Sequence, residues 1–148
     1  MQIEPARLKD IPELCLLLNR LFAQEAEFTP DAAAQHRGLH RIISDPKVGA
    51  VLVARQGAQI LGMVNLLYTV STALGETVAL LEDMIVHPEQ RAAGIGSQLL
   101  EAALCVARQQ GCKRITLLTD AENAGAQRFY QRHGFHLSSM LPMRRSLL

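Results

Sequence analysis

The sequence predicts a mixed α/β fold: one sheet, mostly antiparallel, with helices against it. Three observations carry this. Apolar residues recur at helical intervals over residues 11–26 and 95–110. Apolar and β-branched runs broken by glycine turns fill residues 50–86. A long helix followed by another apolar run then makes a βαβ crossover. At 148 residues, 49% hydrophobic and 20% charged, the chain can bury a single core. No repeat, low-complexity stretch or long Gly/Ser/Pro linker divides it, so residues 1–148 are expected to form one domain.

Residues 2–7 open the chain as a short strand. Asp10 is a helix N-cap candidate, with Pro12 early and Glu13 at capping-box spacing. Ile11, Leu14, Leu18, Leu21 and Phe22 then give residues 11–26 one apolar face. Thr29, Pro30 and Asp31 start a weaker second helix that ends before Asp45 and Pro46. AVLVARQ, a turn at Gly57 and QILGMVNLLYTV read as an antiparallel hairpin. After a turn at Gly75, residues 78–86 form the next strand, stopped by His87 and Pro88. Ile95, Leu99, Leu100, Ala103, Leu104 and Ala107 mark a helix that Gly111 ends. A strand over 114–119, a helix from Asn123 to Arg132 ending at Gly134, and one or two closing strands in FHLSSMLPMRRSL complete the order.

Fifteen basic and fourteen acidic residues leave a formal charge of +1. The twelve arginines among them are scattered, which gives no nucleic-acid footprint. No run approaches a membrane span and MQIEPARLKD has no apolar signal core, so no membrane partner and a cytoplasmic location are expected. Cys15, Cys105 and Cys112 are odd in number and form no CxxC, which favours buried reduced thiols over disulfides or zinc. His36 and His40 share a helix face without the HExxH pattern, and no metal is expected. Nothing pairs Cys105 or Cys112 with an activating base.

The most informative stretch is LEDMIVHPEQRAAGIGSQLL, residues 81–100. A strand runs into a glycine-spaced turn and straight into a helix, whose first amides lack intrahelical partners and whose dipole favours an anion. Gly94 and Gly96 let a ligand approach the main chain, and Arg91 adds a positive charge. A P-loop is excluded by the absent Lys and following hydroxyl. A dinucleotide fingerprint would need a glycine where Leu99 stands and a position early in the sheet. The glycines taken alone are also compatible with a simple strand-to-helix turn.

More than the glycines is present. ArgxxGlyxGly after an apolar strand, a long helix, a strand, and then Asn123, Ala126, Phe129, Tyr130, Gly134 and Phe135 resemble the GNAT acyltransferase superfamily, closely over residues 78–136. The resemblance implies a mostly antiparallel central sheet, flanked by helices and splayed between its fourth and fifth strands, 78–86 and 114–119. It implies that Arg91, Gly94 and Gly96, with the amides of Ala92, Ala93, Ile95 and Ser97, hold the pyrophosphate of acetyl-coenzyme A. Ala92 departs from a glycine common in relatives. Met84, Ile85 and Val86 would pair with the amides of the pantetheine arm, and an N–H near Met84 or Ile85 would face the thioester oxygen.

Acetyl transfer to an amine needs a base for the amine and an acid for the departing thiolate. Within the resemblance Glu82 is the base or amine-orienting anion, with Asp83 on the opposite face by strand alternation. Tyr130 is the acid and Asn123 lies against the coenzyme arm. Each also has a plainer reading: solvated acids, a packing Tyr, a helix cap. Direct attack in a ternary complex is expected. The LeuGluAspMetIleVal and PheTyr contexts look most like the diamine and polyamine branch, and Glu82, Asp83, Glu25 and Glu27 would attract a cationic amine. Amino acids, aminoglycoside-like compounds, a protein N-terminus or a lysine are alternative acceptors, and a non-catalytic acetyl-coenzyme A sensor is the alternative of another class. The apolar carboxyl end, with Leu141, Met143, Leu147 and Leu148, either makes a homodimer or closes its own sheet.

Overall fold

In the computed structural model of the chain, residues 1–24 and 30–148 are described, the side chains of residues 24 and 92 excepted. They form two compact units, Met1–Leu118 and Thr119–Leu148. The first holds strands β1 (Gln2–Pro5), β2 (Gly49–Gln56), β3 (Gln59–Ser71), β4 (Glu76–Val86) and β5 (Ile115–Leu117). Its helices are α1 (Ile11–Gln24), α2 (Ala32–Ser44) and α3 (Ile95–Gln109). The second unit holds α4 (Ala124–Arg132).

The sheet order is β1-β2-β3-β4-β5, antiparallel except for the parallel β4–β5 pair across the α3 crossover. Alternation along β2 and β3 divides the core into two layers. Val51, Val53, Ile60 and Met63 pack with Ile11, Leu14, Leu17 and Leu18 of α1 and Leu39 of α2. On the opposite face α3 lies against β2, β3 and β4, burying Ile95, Leu99, Leu100, Ala103 and Ala107. Gly62 permits that approach, since a Cβ there would stand 2.9 Å from both the Ile85 carbonyl oxygen and Leu99 Cδ1.

The start of α1 departs from the capping box that the sequence predicts. Asp10 ends a short 3₁₀ turn, Leu8–Asp10, and its carboxylate accepts from the Arg7 amide at 2.8 Å. It also takes both terminal nitrogens of Arg55, at 2.7 and 3.2 Å. Glu13 accepts instead from the Ile60 amide at 3.0 Å, so tertiary partners outcompete the local cap. Asp31 does cap α2, accepting from the Ala34 amide at 3.1 Å.

Two further expectations are corrected. Residues 135–148 form no strand. Their apolar alternation has no ladder to join within a unit whose single regular element is a helix, and Leu137 and Met143 are 76% and 97% exposed. All three cysteines are free, but only Cys15 is buried. Cys105 is exposed and Cys112 intermediate. Ala103 and Ala107 occupy the inner stripe of α3, and Cys105, midway between them, faces outward. Among the described residues no helix is long and apolar enough to cross a membrane.

Candidate active site

β4 meets β5 only through Ala79, Leu80 and Leu81 opposite Ile115, Thr116 and Leu117. Past Leu81 it keeps its ladder with β3, pairing Glu82 with Asn65, Ile85 with Met63 and Val86 with Gly62. On its β5 side the ladder has ended. The predicted splay is therefore present, with Met84, Ile85 and Val86 along the opened edge.

The break coincides with a β-bulge. Between paired positions β3 has one residue, Val64, whereas β4 has two, Asp83 and Met84. Asp83 adopts a positive φ of 53°, a conformation that Asp tolerates better than most residues. A bulge bends its strand and breaks the two-residue alternation. For this reason Glu82 and Asp83, expected on opposite faces, line one cavity. Asn65, 2% exposed, donates through Nδ2 to Asp83 Oδ2 at 2.6 Å.

That cavity, of about 360 Å³, lies over the α1–α2 face of the sheet. Leu18, Phe22, Leu39 and Ile42 form its apolar wall. Asp31, Gln35, Asn65, Glu82 and Asp83 supply the polar part, which includes three carboxylates. Glu25 and Glu27 lie outside the described residues.

Beyond β4 a 3₁₀ turn, Pro88–Ala93, carries the exposed Arg91 and the backbones of Ala92 and Ala93 to Gly94. Gly94 has a φ of 75° and caps α3 without any side-chain cap hydrogen bond. The Gln98 amide donates to the Gly94 carbonyl at 3.2 Å. A Cβ at Gly94 would meet nothing within 4 Å, so the main chain is open to a ligand at that point. Ile95 is buried, while Gly96 and Ser97 are partly accessible. An open backbone, a helix N-terminus and a nearby guanidinium fit a pyrophosphate.

In the second unit Asn123 caps α4, its Oδ1 accepting from the Ala126 amide at 3.0 Å. Gln127, on the same face, donates to the Ala121 carbonyl at 2.9 Å. Tyr130 is half-buried. Its ring sits edge-on to Phe129 and Phe135, with centroids 5.2 and 5.8 Å away.

The sequence model of the Acetyltransferase (GNAT) family matches residues 12–135. The chain belongs to this family. It is a GNAT acetyltransferase, and the family uses acetyl-coenzyme A as co-substrate. It is 30% identical over 137 residues to the uncharacterized N-acetyltransferase YhfO of Bacillus subtilis, covering 91% of this chain and 89% of that protein. It is 28% identical over 137 residues to the aminoalkylphosphonate N-acetyltransferase of Salmonella typhimurium, covering 93% and 86%. Among solved structures, a possible acetyltransferase from Clostridium difficile superposes with a TM-score of 0.88 over 99% of this chain and 97% of that one. At 16% identity that match speaks for the fold.

Within this GNAT chain three polar residues of the cavity, Asp31, Gln35 and Asn65, were absent from the sequence reading of the site. Asn65 had left a signal, as the one amide inside the apolar run ILGMVNLLY. Burial pushes the thiols of both Cys15 and Cys112 above the ordinary thiol range, which disfavours either as a nucleophile. His36 and His40 are exposed, and among the described residues no group of three metal-binding side chains occurs.

Proposed function

We propose that the chain, acting as one domain, transfers the acetyl group of acetyl-coenzyme A to a primary amine of a small cationic molecule, by direct attack within a ternary complex. The observation that carries this reading is the cavity at the bulge of β4, which Glu82, Asp83 and Asp31 all line. The carboxylates draw in the ammonium form of the acceptor. Glu82 takes its proton, directly or through a water, because only the neutral amine is nucleophilic.

The residues present fit the coenzyme. Arg91, Gly94, Gly96 and the amides of Ala92, Ala93, Ile95 and Ser97 hold its pyrophosphate. Met84, Ile85 and Val86 pair with the pantetheine amides along the free edge of β4. Bound there, it supplies an activated acyl group on a thiolate leaving group. An amide near Met84 or Ile85 stabilises charge developing on the carbonyl oxygen. Tyr130 protonates the departing sulfur, and Asn123 supports the coenzyme arm.

Thiol release from acetyl-coenzyme A, measured across a panel of amines, tests the proposal. Acceptor-dependent release with intersecting double-reciprocal plots is expected. Acetyl-coenzyme A binding without release in the presence of any amine would favour a sensor, and acetylated enzyme accumulating before acceptor is added would overturn direct attack.

A further inference from the structure

We infer that Gln35 and Asn65, together with the three carboxylates lining the same cavity, set acceptor specificity, selecting a small cationic amine that carries a hydroxyl over one that carries a phosphonate or carboxylate. The inference rests on the acetyl-transfer reading and deepens it by naming a substrate class. Both side chains line the cavity, and they are 7% and 2% exposed. Gln35 Oε1 and Nε2 both lack a hydrogen-bond partner, as does Asn65 Oδ1. Donation to Asp83 fixes which way Asn65 points. For Gln35 the amide flip is immaterial, since neither end is paired.

Buried amide groups without partners are costly, and a ligand that supplies the partner gains what the fold forgoes. The three unpaired atoms have almost no accessible surface, so a rotamer turn of Gln35 toward the cavity accompanies binding. Burial of this kind separates them from ordinary surface amides.

The lining decides the chemistry of that partner. Asp31, Glu82 and Asp83 contribute three carboxylates, and no Lys, Arg or His lines the cavity among the described residues. A phosphonate or carboxylate on the acceptor is repelled there, which sets this chain apart from the aminoalkylphosphonate N-acetyltransferase it resembles. An ammonium only donates: it satisfies Asn65 Oδ1 or Gln35 Oε1 and leaves Gln35 Nε2 orphaned. A hydroxyl donates and accepts, so it pairs with both ends of the Gln35 amide.

The test compares kcat/KM for aminobutanol, diaminobutane, butylamine and aminopropylphosphonate by thiol release. Aminobutanol is expected to exceed butylamine by about tenfold, the factor of one well-placed hydrogen bond, and aminopropylphosphonate to be the poorest acceptor. Gln35→Leu should bring the aminobutanol-to-butylamine ratio close to one with no fall in Tm, because it removes unpaired atoms. Gln35→Glu, which exchanges the donor end for an acceptor, should move the preference toward diaminobutane. Equal use of aminobutanol and butylamine by the wild type, or a preference for the phosphonate, overturns the inference and leaves acetyl transfer standing. A ratio unchanged in both variants also overturns it. No release with any of the four amines, while another amine of the wider panel releases thiol, overturns this inference and leaves acetyl transfer standing.

Discussion

At Asp10 burial and pairing pull in opposite directions. Desolvation pushes its carboxyl pKa up, but hydrogen bonds from Arg55 and the Arg7 amide, together with their charges, outweigh it and hold the group below its usual range. Arg55, also bonded to Glu4 at 2.6 Å, is held above its own ordinary value by Asp10 first and Glu4 second. A depressed folded pKa means that the stabilisation is complete above the unfolded value of ~3.9 and is lost as pH falls through the folded one. Asp10→Asn should therefore flatten the acid limb of a Tm-against-pH curve. Arg55→Met, which leaves Asp10 without its main partner, should cost about 3 kcal/mol in denaturant titration at neutral pH. At the proposed catalytic residues, Glu82→Gln should lower kcat by roughly 10²-fold or more. Tyr130→Phe should lower turnover with little change in acetyl-coenzyme A affinity. If affinity collapses while the bound complex turns over normally, the role given to Tyr130 is wrong. The residue scale is also where sequence is least legible: alternation put Glu82 and Asp83 on opposite faces, and only the three-dimensional ladder reveals the extra residue that brings them together. Gln35, in a helix of largely polar composition, could not be told from a surface glutamine.

Elements were far more legible than their junctions. The periodicities of residues 11–24 and 95–109 are core faces of α1 and α3, and the glycine positions 57, 75 and 111 do fall at turns. β5 is shorter than its apolar run because its ladder with β4 spans only three residue pairs, although β4 itself continues to Val86. The closing strands failed for a related reason: a two-residue alternation specifies a face, not a partner. Glycine chemistry at the junctions gives a paired prediction. Gly62→Ala presses a methyl on the Ile85 carbonyl and Leu99, and should cost about 1–3 kcal/mol of stability. Gly94→Val places a branched side chain at a φ of 75°, where left-handed strain is ~1–2 kcal/mol. There the larger effect should be on ligand: the acetyl-coenzyme A Kd, by isothermal titration, is expected to rise about tenfold or more as the side chain crowds the main-chain amides.

For the whole molecule, ligand and fold are linked. If acetyl-coenzyme A binds the native chain alone, a concentration ~100 times its Kd adds about 2.7 kcal/mol. For a chain of this length that should raise Tm by roughly 5–10 °C, visible in a thermal melt, and Gly94→Val should abolish most of the rise. The bulge in β4 has a further consequence for how this chain tolerates lost residues. Excising a residue from inside a strand normally swaps inside for outside along everything that follows. Here Asp83 is surplus to the pairing: without it, Val64 would face Met84 one to one, Asn65 would still meet Glu82, and Ile85 would still meet Met63. The shortened protein should fold with Ile85 buried, yet its β4 would run straight, lacking both the bend and one of the cavity's carboxylates. Architecture and turnover are separable at this one codon.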